Sequence, residues 1–258
     1  MTKSVRIIVP IYKSGLSVLE LQSLARTYSV MDKYPITVIK PSSLDLSCIK
    51  EKFSRITFES FDDSFFCGIA GYNKLMLSTL FYDRFSDTDY ILICQLDVFI
   101  FQDKLALFLE KDYDYIGAPW LKRRLYRYLP FMEKIKTNKK KYDRSAITWK
   151  QNSQNRIGNG GFSLRKVKSC YDAVLRYADR IRVYNALQGT SLYNEDTFWS
   201  KELFEFKYPT VEEALEFSFD KYPRLCYIEN KKNLPMGCHG WYKWKNRTFW
   251  KKHIRFDE

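Results

Sequence analysis

The sequence predicts an α/β fold in which a mostly parallel central sheet is flanked by helices. Short apolar runs typical of buried strands alternate with helical patterns through the first 120 residues. That alternation places helices on both faces of a parallel sheet. The 258-residue chain, with 45% hydrophobic and 28% charged residues, has the length and composition of a globular protein. We expect a ligand to bind beyond the carboxyl ends of the strands.

The elements are predicted in order from apolar periodicity and capping residues. Strands are expected over residues 5–12, 36–41, 55–60 and from about residue 90 to Asp97. Helices are expected over residues 69–82, after Asp103, over residues 167–181 and after Asn194. Two capping boxes should each begin a helix, and they are formed by Ser17 with Glu20 and by Thr210 with Glu213.

The net charge of +13 and the 17% aromatic content indicate a polyanionic partner. Nucleic acid, an anionic membrane surface and a phosphorylated ligand all satisfy this chemistry. Ten Lys or Arg residues lie between Lys122 and Arg144, so residues 121–156 are expected to form a basic, mobile loop.

The cysteine pattern and the absence of long apolar segments indicate a reducing compartment. None of the six cysteines forms a C-x-x-C pair, which disfavours a zinc ribbon or a redox motif. The N-terminal residues lack a long apolar region, and no stretch approaches 18 uninterrupted apolar residues. We therefore expect a cytoplasmic protein.

Asp97 interrupts the apolar run from Ile91 to Phe101. Burying an unpaired carboxylate is costly, so the chain must either supply a partner or direct the acid at a ligand. Asp97 could cap the following turn, which is the usual role of a lone acid. It could instead bind Mg²⁺ or Mn²⁺, since both ions favour carboxylate oxygen.

Three further motifs contain candidate functional residues. Gly158, Gly160 and Gly161 lie within four residues, which favours close approach to a ligand over an ordinary tight turn. Glu195 and Asp196 begin a predicted helix, where acids complement the helix dipole but could also act as a general base. His239 lies between two glycines in G-C-H-G, which modestly favours a ligand over a structural histidine.

Taken in order, these motifs resemble a bacterial family that is catalogued only as a domain of unknown function and is assigned to the GT-A glycosyltransferases. The shared motifs are Y-N-x-L-M-L, Q-x-D at a strand end, G-A-P-W, G-N-G-G-F-S-L-R, E-D and G-x-H-G-W. The resemblance extends from Val5 to Trp241, and it implies a Rossmann-like GT-A fold.

The resemblance implies a metal site and a catalytic base. The last Asp of the GT-A D-x-D motif binds Mn²⁺ or Mg²⁺ together with the donor diphosphate, and Asp97 matches it. Gln95 departs from the first Asp of that motif and is expected to hydrogen-bond a ribose hydroxyl. His239 matches a later metal-binding His. Asp196 would deprotonate the acceptor hydroxyl, and Glu195 would orient that hydroxyl.

The resemblance also implies the binding residues. The nucleotide is expected near Pro10, Ile11, Tyr12, Asn73, Lys74 and Gln95. The sugar and the acceptor are expected near Trp120, Asn159, Gly160, Gly161 and Trp241. Residues 1–258 would form a single domain, with a nucleotide-binding half (1–120), the basic loop (121–156), and an acceptor and catalytic half with a basic aromatic tail (157–258).

The expected function is transfer of a hexose from a nucleotide sugar, most simply a UDP-sugar, to a glycan hydroxyl during capsule or lipopolysaccharide synthesis. Inversion is favoured because a base candidate is present and no nucleophile lies near Asp97 in sequence. The acceptor would be linked to a lipid diphosphate, and the basic tail with Trp241, Trp244 and Trp250 would hold the protein on the inner face of an anionic membrane. Core packing of these aromatic residues is the alternative.

Two other functions fit parts of the sequence. A nucleic-acid-binding protein would explain the charge, but no helix-turn-helix, RNP or zinc-finger motif is present. A sugar nucleotidyltransferase shares the expected architecture, but the segment P-I-Y-K-S-G-L-S is a poor match to its glycine-rich loop. We therefore expect no nucleic-acid partner.

Overall fold

A six-stranded sheet lies at the centre of the computed structural model, which describes residues 3–122, 155–187 and 192–257. Its strands are β1 (Val5–Pro10), β2 (Ile36–Pro41), β3 (Thr57–Phe61), β4 (Tyr90–Cys94), β6 (Tyr115–Ile116) and β7 (Phe162–Lys166), in the spatial order β3-β2-β1-β4-β7-β6. The first four pair in parallel, and β7 is antiparallel to both neighbours. The predicted mostly parallel sheet is confirmed.

A smaller sheet brings the two ends of the predicted site together. It contains β5 (Val98–Ile100), β8 (Ser218–Phe219) and β9 (Gly237–His239), with β9 in the middle. Val98 pairs with His239 in the antiparallel register of β5 and β9. Because Asp97 immediately precedes β5, this pairing places it beside a residue that is distant in sequence.

The helices flank these sheets. Their bounds are α1 (Val18–Val30), α2 (Ser47–Lys52), α3 (Gly68–Met76), α4 (Thr79–Arg84), α5 (Leu105–Glu110), α6 (Val167–Arg176), α7 (Ala178–Ala186), α8 (Glu195–Lys201), α9 (Val211–Phe217), α10 (Pro223–Glu229) and α11 (Trp244–Trp250), and a 3-10 turn covers Asp63–Phe66. Both predicted capping boxes are confirmed, at the starts of α1 and α9.

Several predicted boundaries are wrong, among them those of two helices and of the strand that leads to Asp97. The helix expected over residues 69–82 is two helices, because Ser78 is extended and its hydroxyl accepts a hydrogen bond from the Phe81 amide, which begins α4. The helix expected over residues 167–181 is also two, since Tyr177 leaves helical geometry between α6 and α7. Strand β4 ends at Cys94, three residues before Asp97.

The core lies on both faces of the main sheet. Strand β4 is buried throughout and alternates between the two faces, with Leu92 packing in one cluster and Ile91 and Ile93 in the other. A third cluster beneath the small sheet contains Trp241 and Trp250, which are both fully buried. In the described residues, no helix is long and apolar enough to cross a membrane. The predicted basic loop falls almost wholly outside the described residues.

Candidate active site

A cleft of about 620 Å³ opens at the carboxyl ends of β1 and β4. Most of the predicted site residues line it, namely Pro10, Tyr12, Asn73, Gln95, Asp97, Asn159, Gly160, Gly161, Glu195, Asp196 and His239. Residues from near both ends of the chain meet here, since Glu20 and Lys243 also line the cleft. We call this cavity the donor cleft.

The remaining predicted residues do not line the donor cleft. Ile11 and Trp241 are fully buried in the core, and the Trp241 Nε1 donates to the Ser23 hydroxyl at 2.9 Å. Lys74 is exposed elsewhere on α3. Trp120 is half-buried against Gly158, whose missing side chain makes room for the ring. The expected ligand contacts of Ile11 and Trp241 are wrong, because apolar packing takes up both side chains.

Asp97 lies in a network of opposite charges within the donor cleft. Its Oδ1 is 3.0 Å from Nε2 of His239, and its Oδ2 is 2.6 Å from Nζ of Lys243. On the other side of the imidazole, Nδ1 lies 3.0 Å from Oδ1 of Asp220. The carboxylate is largely buried, and these partners offset the cost of removing it from water.

The same network fixes the protonation of its members. Burial alone would raise the pKa of Asp97, but the charges of His239 and Lys243 hold the pKa well below its usual range. Burial opposes the charged imidazole, but the two flanking carboxylates raise the pKa of His239 to about 9. Burial likewise opposes ionisation of Asp220, and its hydrogen bond to His239 lowers the pKa.

The Asp97 and His239 pair fits a divalent cation, which would take the place of the imidazole proton at Nε2. Nε2 of His239 is buried and lies 3.0 Å from Asp97 Oδ1, but within the described part of the chain it makes no hydrogen bond with good angles. Adjacent ligands of an octahedral ion, each about 2.1 Å from it, lie about 3.0 Å apart. A Cβ at Gly161 would lie 2.5 Å from Nε2 and 2.6 Å from the Gln95 Oε1, so the glycine keeps this space open. No cluster of three or more metal-binding side chains occurs among the described residues.

A buried cation holds Glu195, which also lines the donor cleft. Its Oε2 accepts a hydrogen bond from Nη2 of Arg165 at 3.1 Å, and both side chains are almost fully buried. The guanidinium also donates to the Tyr82 hydroxyl at 3.0 Å and to the Ser163 hydroxyl at 3.0 Å. Such a network fixes the carboxylate position before any ligand binds.

Gly160 lies beside Glu195. A Cβ at Gly160 would overlap Oε1 of Glu195, so only glycine allows the carboxylate to lie against the backbone there. Burial raises the pKa of Glu195 to about 7, and the charge of Arg165 acts in the opposite direction. Gly160 and Gly161 thus make room for protein side chains.

Asp196 lies next to Glu195 but in different surroundings. It lines the donor cleft and also a second groove beside it. No ion pair to Asp196 occurs among the described residues, and burial raises its pKa. Asp196 is therefore the carboxylate that faces both cavities.

Asn159 also lies at this junction. Its backbone is left-handed, with φ of 68°, and its Oδ1 accepts a hydrogen bond from the Gly161 amide at 3.0 Å. The Nδ2 group is buried and has no partner among the described residues. Asn159 lines both cavities and offers an unused hydrogen-bond donor to a ligand.

The sequence pattern of the family described as "Protein of unknown function (DUF5672)" matches residues 55–239. The chain belongs to this family. The matched segment includes Asp97, the glycine-rich motif, Glu195, Asp196 and His239. No curated protein matches the chain by sequence.

Solved structures resemble this DUF5672 protein in fold. The crystal structure of mouse xyloside xylosyltransferase 1, apo form, has a TM-score of 0.53 at 10% identity and covers 92% of this chain and 97% of its own. The galactosyltransferase LgtC in complex with donor and acceptor sugar analogs has a TM-score of 0.56 at 12% identity, covering 95% and 94%. The protein therefore has the GT-A glycosyltransferase fold.

A third structure also resembles the DUF5672 protein. The bifunctional glycosyltransferase WbbM, apo structure, has a TM-score of 0.56 at 11% identity. It covers 93% of this chain and 46% of its own length. At these identities, the comparisons establish the fold and not the reaction.

The site of the DUF5672 protein contains residues that sequence reasoning did not find. Asp220 and Lys243 complete the network around Asp97, and Arg165 holds Glu195. Arg165 lies in the quoted glycine-rich motif, and an arginine inside an apolar strand indicates a buried partner. Asp220 and Lys243 carry no comparable indication, because their partners are distant in sequence.

Proposed function

We propose that the protein is a metal-dependent, inverting glycosyltransferase that moves a hexose from a UDP-sugar to a hydroxyl group of a glycan. The observation that carries the proposal is one cleft that joins a metal-fitting pair, Asp97 and His239, to an unpaired carboxylate, Asp196. The GT-A fold supports the same reaction class.

The donor would bind with its diphosphate near Asp97. That residue and His239 would hold Mn²⁺ or Mg²⁺, which neutralises charge on the departing nucleoside diphosphate. Lys243, already 2.6 Å from Asp97, is placed to pair with a diphosphate oxygen. The nucleotide would contact residues of the donor cleft nearer β1 and α3, namely Pro10, Tyr12, Asn73 and Gln95.

Asp196 would act as the general base. A base must reach both the donor sugar and the incoming hydroxyl, and Asp196 lines both cavities. Glu195 lines the donor cleft but not the groove, and Arg165 holds its carboxylate. We therefore place Glu195 against the donor sugar, whereas the sequence suggested a role toward the acceptor.

The net charge of +13 supports an anionic acceptor and an anionic surface. We propose a lipid-diphosphate-linked glycan as the acceptor, in the synthesis of a bacterial surface polysaccharide such as capsule or lipopolysaccharide. The protein would then work in the cytoplasm, peripherally on the inner face of the plasma membrane. Single-domain organisation is supported by the donor cleft, which residues from near both ends of the chain line.

Calorimetry with UDP and Mn²⁺ tests the donor site. Asp97→Asn and His239→Gln should each weaken Mn²⁺-dependent UDP binding by about tenfold or more, since each replaces a strong metal ligand with a neutral amide. Asp87→Asn is the matched control, because Asp87 pairs with Arg6 on the surface outside the cleft. Unchanged affinity in both cleft variants would refute the metal assignment. In a thermal shift assay, a higher melting temperature with oligonucleotides but not with UDP and Mn²⁺ would favour the nucleic-acid alternative.

A further inference from the structure

A second groove of about 1430 Å³ adjoins the donor cleft. It lies between α10, α11 and the loop of residues 220–222. The two cavities share Asn159, Asp196, His239 and Lys243. A ligand in this groove would therefore reach the carboxylate proposed as the base.

The groove gathers positive charge. Lys221, Arg224, Lys245 and Lys252 line it in addition to the shared Lys243. Across the described ranges, Arg224, Lys245 and Lys252 have no carboxylate partner. Of the residues that the structure describes, two carboxylates line the groove, Asp196 and Asp220, and Asp220 is already bonded to His239. The local excess of positive charge favours an anionic ligand.

The groove also offers a flat apolar surface and an unused donor. Trp244 is 85% exposed at the start of α11, which is unusual for so large an apolar ring. Indole faces pack against sugar rings. Asn159, only 3% exposed, lines the junction with the donor cleft, and its Nδ2 has no hydrogen-bond partner among the described residues.

We propose that this groove binds the acceptor through a phosphate ester, with the phosphate among Arg224, Lys245 and Lys252 and a sugar ring against Trp244. The inference rests on the proposed transferase function and deepens it. A phosphate matches the groove better than a carboxylate does, because it brings more charge and more acceptor oxygens to a groove that several cations line. We call this cavity the acceptor groove.

The test measures binding of glucose 1-phosphate by calorimetry, with UDP and Mn²⁺ saturating so that the donor cleft is filled. Methyl glucoside and glucuronic acid serve as the neutral and carboxylate probes. We expect the phosphate probe to bind tightest. Lys245→Gln and Lys252→Gln should each weaken it by about tenfold, the effect of losing one charge-assisted hydrogen bond. Trp244→Ala should weaken glucose 1-phosphate and methyl glucoside alike.

Lys251→Gln is the matched control. It makes the same charge change one residue from Lys252, but Lys251 does not line the groove. An equal loss in Lys251→Gln, or equal binding of all three probes, would overturn the proposal. If UDP and Mn²⁺ still bind with wild-type affinity when the acceptor probes do not, the proposal for the acceptor groove is refuted and the proposal for the donor cleft is not.

Vesicles separate the two sources of a phosphate ester. Phosphatidylcholine vesicles containing polyprenyl phosphate should bind the wild-type protein more than phosphatidylcholine alone does, and Lys252→Gln should lose that difference. This outcome supports the groove and assigns a lipid-linked acceptor. Binding of glucose 1-phosphate without binding to the vesicles supports the groove and assigns a soluble phosphorylated glycan. Binding of neither probe would refute the proposal.

Discussion

The donor cleft and the acceptor groove meet at Asp196 but balance their charges differently. In the donor cleft, Asp97 lies between His239 and Lys243, and Glu195 lies against Arg165. In the acceptor groove, Arg224, Lys245 and Lys252 have no carboxylate partner among the described residues, and the Trp244 ring faces solvent. The paired charges fix the side-chain positions in the donor cleft before a ligand binds. In the acceptor groove, the unpaired side chains would be fixed only by the ligand.

The largest expected effect is the difference between Trp241, a packing residue, and Trp244, a binding residue, in their contributions to stability. Trp241→Ala should lower the free energy of unfolding by about 3–5 kcal/mol, because the ring is fully buried and its Nε1 bonds to Ser23. Trp244→Ala should change that free energy by no more than about 0.5 kcal/mol, because the ring is exposed. Urea unfolding of both variants is the measurement, and equal losses would show that Trp244 is a packing residue.

The same pair shows what the sequence could predict. The sequence shows a basic aromatic tail, but it cannot tell which ring faces the core, since Trp241, Trp244 and Trp250 lie in one mixed segment. The strands β2 and β4 and both capping boxes were predictable because each depends on local spacing.

The motifs predicted residues that meet in one cleft, but they did not predict the side chains that pair with those residues. Asp97, His239 and Asp196 were found through motifs, and all line the donor cleft. The roles of Asp220 and Lys243 cannot be predicted from sequence because they depend on contacts between distant segments, whereas Arg165 in its apolar strand indicates a buried partner without identifying Glu195. Gly160 and Gly161 were predicted to face sugar, but their missing side chains accommodate carboxylate and imidazole groups, which only the folded chain reveals.

The pH dependence of stability should single out Glu195. Burial raises its pKa to about 7 from the usual 4.5, so the folded state binds this proton more tightly than the unfolded chain does. The stabilising contribution of protonated Glu195 is fully present below about pH 4.5 and is lost as the pH rises through 7. The loss lowers the free energy of unfolding by about 1–3 kcal/mol.

Unfolding of the wild type and of Glu195→Gln from pH 4.5 to 8 measures this effect. The stability of the wild type relative to the variant should fall across that range, because the amide does not titrate. A difference that stays constant with pH would show that Arg165 keeps the carboxylate ionised throughout.

A smaller effect, on the affinity for UDP and Mn²⁺, is expected when the space beside His239 is filled. Gly161→Ala places a Cβ 2.5 Å from Nε2, so UDP and Mn²⁺ should bind about tenfold more weakly by calorimetry. Gly15→Ala is the control, because nothing lies within 4 Å of a Cβ there. Full affinity in Gly161→Ala would show that the space between Gln95 and His239 is not used by the metal.

The most direct test of Asp196 as the base is the anomeric configuration of the hexose that the purified protein releases by hydrolysis. The substrates are a panel of UDP-α-hexoses, and water takes the place of the acceptor. Proton NMR should show the β-anomer first, and Asp196→Asn should lower turnover by about 10²–10⁴-fold while UDP binding is kept. Release of the α-anomer first, or undiminished turnover in Asp196→Asn, would contradict Asp196 as the base of an inverting transfer.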